Sequence, residues 1–152
     1  MGIYGLTQAF CQIPLGIASD KFGRKPVIIF GLMLFAVGAL IAAMSDSVMG
    51  ILIGRAVQGA GAISAAITAL LADSTREEHR TKAMAMVGAS IGLSFAFSLV
   101  FAPVLYTRLG MDGIFILIAV MAVAAMAVVT WIVPAAPALP SAKVPLIEVL
   151  KN

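Results

Sequence analysis

The sequence predicts an all-α membrane protein with five transmembrane helices, and three observations carry that prediction. First, 62% of its 152 residues are hydrophobic and only 11% are charged, with a mean hydropathy of +1.10, whereas a soluble domain carries roughly 45–50% apolar and about 25% charged residues. Too little polar surface remains to wet a folded globule, which excludes a soluble enzyme and a nucleic-acid binder. Second, cutting the chain at its charges leaves stretches near 1–19, 26–45, 49–72, 83–106 and 113–133, free of ionised side chains except for Arg55. Each reaches, or nearly reaches, the ~20 residues a helix needs to cross lipid. Third, open strands cannot cross a bilayer because their edge N–H and C=O groups would go unsatisfied, so even the Val-, Ile- and Phe-rich stretches must be helical.

The first span has no basic leader and ends in Asp20 and Lys21 rather than a small-residue cleavage site, so it is expected to stay in the protein. It begins abruptly at Met1 without a polar flank, as though a longer helix had been cut, and an incomplete chain is expected. Pro14 should bend it. Cys11 is the only cysteine and His79 the only histidine. The first is read as a small packed hydrophobe and the second as part of a solvated loop. No metal site and no cofactor is expected.

The turn into the second helix reads GIASDKFGRKP, which places Gly16, Asp20, Lys21, Gly23, Arg24, Lys25 and Pro26 at fixed offsets. Gly16, one turn before Asp20, allows another helix to approach closely. Gly23 permits a tight, left-handed backbone turn, and Pro26 suits the first turn of the next helix, where no N–H is needed. Asp20 sits at the wrong end of its own helix dipole and should seek a positive group, with Arg24, Lys25 or another helix N-terminus as candidates. The alternative is a basic hairpin that only fixes topology.

The third span carries ILIGRAVQGAGAISAA. Arg55 lies about 9 Å inside its outer end at 1.5 Å per residue, a depth at which a charge is costly and functional by default, unless the long side chain snorkels to the headgroups. Gln58 shares its face, and Gly59, Gly61, Ala62, Ala65 and Ala66 make a small-residue surface, which together favour a packed face. A packed arginine needs an acidic or carbonyl partner. Asp46 is reachable only at the membrane edge, so the partner is expected outside this chain.

The fourth span places Gly88 and Gly92 four apart, and Ser90, Ser94 and Ser98 at the same interval, with Phe95 and Phe97 among them and Phe101 and Pro103 beyond. Such small, weakly polar stripes serve helix packing or line a path. The fifth span ends near Trp131. The tail 134–152, with Pro134, Pro137, Pro140 and Pro145 before LIEVLKN, reads as an extended linker leading into an amphipathic surface helix.

Orientation follows from the cations. Lys21, Arg24, Lys25, Arg76, Arg80, Lys82, Lys143 and Lys151 fall on one side, against Arg108 alone on the other. The positive-inside rule makes the crowded side cytoplasmic, leaving residue 1 outside and residue 152 inside.

Together, GIASDKFGRKP and GRAVQGAGA resemble two signatures of the major facilitator superfamily, in its proton-coupled drug-antiporter branch. The first is similar to the cytoplasmic motif between the family's second and third helices, and the second to the RxxQGxG motif on its fourth. GIYGLTQAF and TREEHRTKAMAMVGAS resemble the bacterial YajR group most. The five spans would then match family helices two to six. The missing partners would be the first helix and the second six-helix half. Lys21, Phe22 and Gly23 echo Arg108, Leu109 and Gly110 across the inverted repeat that builds each half of such transporters.

The resemblance implies a conformational latch at Gly16, Asp20, Lys21, Gly23, Arg24 and Lys25, with Asp20 facing a helix of the other half. It also implies proton coupling at Arg55, Gln58, Gly59 and Gly61 through a carboxylate on the missing helix. Gly88, Ser90, Gly92, Ser94, Ser98 and Pro103 would pack helices or line the path. Where the antiporter pattern ends in GPxxGG, this chain reads Ala102, Pro103, Val104, Leu105, Tyr106, Thr107, so the resemblance does not extend to the direction of antiport. The expected protein is a bacterial inner-membrane secondary transporter, its partners the lipid bilayer, protons and a small molecule of unread identity, and not an enzyme. The competing expectation is a small helical membrane protein that oligomerises or binds a partner, or a non-functional gene fragment.

Overall fold

The computed structural model describes residues 2–61 and 63–133, and these are helical with no strand among them. The helices are α1 (Gly2–Phe22), α2 (Arg24–Ala43), α3 (Val48–Ala60), α4 (Ser64–Ser74) and α5 (Glu77–Ile132). The proline-rich linker and amphipathic helix expected over 134–152 lie outside the described residues. By length and hydropathy, Arg24–Ala43, Val48–Ser74 and Glu77–Ile132 can each cross a membrane. α1 is long enough but more polar, carrying Thr7, Gln8, Gln12, Ser19 and Asp20.

Two features differ from the spans read in the sequence. The stretch 49–72 is two helices, not one. α3 closes at Gly61, whose N–H donates to the Gln58 carbonyl three residues back, and α4 starts at Ser64. The reason lies in packing: the Gly61 backbone rests on the Gly31 carbonyl and Ile63 fills the notch over Gly31, so the chain steps sideways against α2. Non-helical backbone at this depth is tolerated because protein surrounds it.

The second difference is that the turn expected over 107–112 shrinks to a single residue: the fourth and fifth spans are two helices, 77–109 and 111–132, that meet at Gly110 (φ 67°, ψ −174°). An unbroken helix over 77–132 would extend about 84 Å, far beyond a bilayer, and Gly110 is the corner between these two arms.

Gly23 and Gly110 are the two positive-φ residues among those described. Gly23 (φ 96°, ψ 152°) turns the chain between α1 and α2 with an extended ψ rather than the left-handed helical one. Gly110 adopts the same combination at the opposite end of the bundle. A side chain at either position would be strained. Each follows a cation and a large apolar residue, so the echo seen in the sequence corresponds to a shared backbone corner.

α2 is the hub, packing against α1, α3, α4 and α5. Its buried residues Val27, Ile28, Gly31, Leu32, Ala36, Ala39 and Ala42 recur at helical spacing, while Phe95, Leu99, Val100 and Trp131 are exposed. Lipid is as apolar as leucine, so close fit rather than burial holds such helices together. At Gly38 an added Cβ would come 2.5 Å from the Gln58 backbone nitrogen and 2.6 Å from the Gly54 carbonyl oxygen. Gly38→Val is therefore expected to cost about 3 kcal/mol by overpacking, read as a lowered melting point in detergent; wild-type stability would show that α2 and α3 do not meet there.

Candidate functional site

Two polar clusters occupy opposite ends of the bundle, with an apolar cavity between them. The first is the elbow joining α1 to α2. Arg24 and Lys25 open α2, where the positive end of that helix's own dipole disfavours cations, so both reach for partners elsewhere. Arg24 Nε donates to Asp73 Oδ2 at 3.0 Å, and its Nη1 donates to Ser19 Oγ at 2.7 Å and to Asp20 Oδ1. Ser19 is 1% exposed and its hydroxyl donates to the Gly16 carbonyl at 2.7 Å. One guanidinium thus ties the end of α1 to the end of α4.

Lys25 does not join this pair. Its Nζ donates to the carbonyls of Thr130 and Val133, both at 2.8 Å, and so caps the end of α5, where a cation complements the dipole. The elbow therefore gathers the C-terminal ends of α1, α4 and α5. Lys21 extends over the Phe22 ring, 5.6 Å from its centroid, and an added Cβ on Gly16 would only touch Ala65 at 3.8 Å.

The second cluster surrounds Arg55. Its Nη1 donates to Gln58 Oε1 at 3.0 Å, and its guanidinium carbon lies 5.6 Å from the ring centroids of both Tyr4 and Phe115. A carbonyl partner is thus present within α3 itself, in the side chain of Gln58. Gln58 is 1% exposed, and its Nε2 is buried without a hydrogen-bond partner among the described residues. Gly59 lets α1 come close, since an added Cβ would meet the Tyr4 carbonyl at 2.5 Å. Gly61 ends α3 and lines the cavity.

That cavity, about 520 Å³, lies among α1, α2, α4 and both arms of α5, with Tyr4, Gln8, Phe35, Ser64, Ser98 and Ile118 on its walls. Apolar walls with a few hydroxyl and amide groups suit a small amphipathic guest or another helix. Of the serine stripe, Ser98 alone reaches it. Ser90 and Ser94 donate to their own helix carbonyls, Met86 and Ser90, and border an outer groove of about 420 Å³ with Ser98. Added Cβ atoms at Gly88 and Gly92 would meet nothing within 4 Å, and Pro103 is an exposed residue inside α5. Among the described residues no group of histidine, cysteine and carboxylate side chains could hold a metal ion.

Sequence reasoning missed Asp73, Ser19, Tyr4 and Phe115 as members of these clusters. Asp73 was within reach, because it ends α4 as Asp20 ends α1, and the same dipole argument applies to it. The two rings carried no such signal.

A family model described as the Major Facilitator Superfamily matches residues 1–151. The chain is 54% identical over 134 residues to the inner membrane transport protein YajR of Escherichia coli (strain K12), covering 88% of this chain and 30% of that protein. It is 46% identical over 134 residues to an uncharacterized transporter of Buchnera aphidicola subsp. Schizaphis graminum, covering 88% and 34%. A more distant match, 34% identical over 94 residues, is to the class B tetracycline resistance protein of Escherichia coli, covering 61% and 23%. The chain spans about a third of the length of the first two relatives.

Proposed function

The chain belongs to the major facilitator superfamily, and from that premise we propose that it works as part of a proton-coupled exporter of small molecules operating by alternating access. It lies in the bacterial inner membrane as a multi-pass protein, residue 1 outside and the elbow in the cytoplasm. The observation that carries this reading is the Arg55–Gln58 pair, a guanidinium and a buried Nε2 donor without an acceptor among the described residues. Donors so placed suit a carboxylate, and a carboxylate that binds a guanidinium in one state and a proton in another is the simplest way to couple proton movement to a swing.

Two further supports come from the elbow and from the relatives. Helix ends gathered by Arg24 and Lys25 move as one body, which rocking against a second body requires. The relatives' greater length leaves room for that second body, a six-helix half, and for a first helix to bring the acid against Tyr4 and Arg55. The efflux direction is supported by the match to a tetracycline resistance protein.

The test is transport by the polypeptide as encoded in its own reading frame, reconstituted in vesicles with an imposed proton gradient. Tetracycline and ethidium serve as probes. Uncoupler-sensitive movement of either against its gradient is expected. Movement indifferent to the proton gradient would overturn coupling, and no movement by a polypeptide that carries a carboxylate-bearing helix before this segment would overturn export of these probes.

A further inference from the structure

Among the described residues α5 packs backbone to backbone with α2 and α4 only; α1 and α3 do not reach it. Around Arg55, however, side chains bridge the gap. The guanidinium leaves α3 and comes within reach of Tyr4 on α1 and Phe115 on the second arm of α5, 5.6 Å from each ring centroid. Attraction between a cation and a ring face extends to about 6 Å and strengthens as water is excluded. Phe115 and Gln58 are buried, at 6% and 1% exposure, while Arg55 and Tyr4 are half-buried, so water is excluded from one side of the guanidinium.

From this we infer that Tyr4 and Phe115 are positioning residues for Arg55, together forming a two-ring clamp that closes the end of the cavity by joining α1 and α3 to α5. Tyr4 and Ile114, the neighbour of Phe115, both line that cavity. Among the described residues no carboxylate pairs with Arg55, and the quadrupoles of the rings and the Gln58 carbonyl share its field instead. Lysine would not serve as well, because a compact, strongly hydrated ammonium cannot spread its charge towards two rings while donating an N–H to Gln58. A carboxylate that took the guanidinium would draw it off the rings and free the second arm of α5; that consequence rests on the coupling role proposed above, whereas the clamp itself does not.

The clamp makes a prediction specific to ring electronics. Fluorine atoms drain the negative face of a phenyl ring while scarcely changing its size. With the chain purified in detergent and Phe115 replaced by mono-, di- and trifluorophenylalanine, the melting midpoint should fall in even steps, to about 3 °C in all. In an Arg55→Met background the same series should be flat. Tyr4→Phe keeps the ring face and should melt as wild type, while Tyr4→Leu should melt lower.

A flat fluorine series with Arg55 present, or an equal slope without it, overturns the clamp. Because melting is read without transport, a flat series leaves the export proposal standing, and failed transport leaves the clamp standing.

Discussion

Arg24→Lys is expected to cut transport by the encoded polypeptide at least tenfold, although it leaves every charge of the elbow in place. The reason is geometric. Arg24 sends Nε to Asp73 and Nη1 to Ser19 and Asp20, a planar fork that one ammonium nitrogen on a shorter reach cannot reproduce. Either Asp73 is released and α4 separates from the elbow, or buried Ser19 loses its donor.

This substitution also separates the two readings of the motif. An elbow that only fixed topology would treat arginine and lysine alike, because orientation is set by the count of positive charges on the cytoplasmic side. A silent Arg24→Lys would therefore favour topology alone and sink the latch. Arg24→Glu should be worse, with three carboxylates facing one another, and transport should be lost altogether.

A double-mutant cycle makes the claim quantitative. The Arg24 side chain is 17% exposed and that of Asp73 27%, so solvent screens the pair only in part. A coupling near 1 kcal/mol between Arg24→Met and Asp73→Asn is expected in thermal unfolding. Zero coupling would mean that the two residues do not act together.

What the sequence disclosed follows from how far each signal reaches. Spans and corners are local: an apolar run of about 20 residues marks a membrane helix, and a glycine after a cation and a large apolar residue marks a turn at both Gly23 and Gly110. Asp20 with Arg24 is also local, four residues apart on one turn. Asp73 is 49 residues from Arg24, and the carbonyls that take Lys25 are more than a hundred away.

Pairings of that kind are set by how helices stack, which no periodicity encodes. The break in 49–72 was hidden for a related reason. Alanine and glycine are as compatible with a helix against lipid as with a side step against α2, and it is the notch at Gly31, on another helix, that decides. Aromatic partners of Arg55 were hidden twice over, since Tyr4 also fits the interfacial position that tyrosine prefers.

Arg55→Gln carries the other large effect expected of this protein, and its value lies in splitting two activities. Glutamine retains hydrogen-bonding capacity and much of the side-chain volume while removing the charge, so the cavity wall formed by Tyr4 and Ile114 keeps much of its shape. Exchange of a probe down its own gradient depends on that shape and should persist within a few-fold. Uphill movement driven by protons depends on a carboxylate that feels the guanidinium, and it should fall at least a hundredfold, because a neutral amide cannot hold an acid in its ionised form. Arg55→Lys keeps the charge but loses the guanidinium's approach to the two rings and its bond to Gln58, and should sit between these extremes. If Arg55→Gln pumps as the parent does, the guanidinium is packing against Tyr4 and Phe115 and nothing more. If both activities vanish together, its loss has unmade the bundle, which the melting point of the same preparation would reveal. The coupling role survives only when pumping is lost, exchange remains and melting moves by no more than the few degrees that the ring contacts themselves contribute.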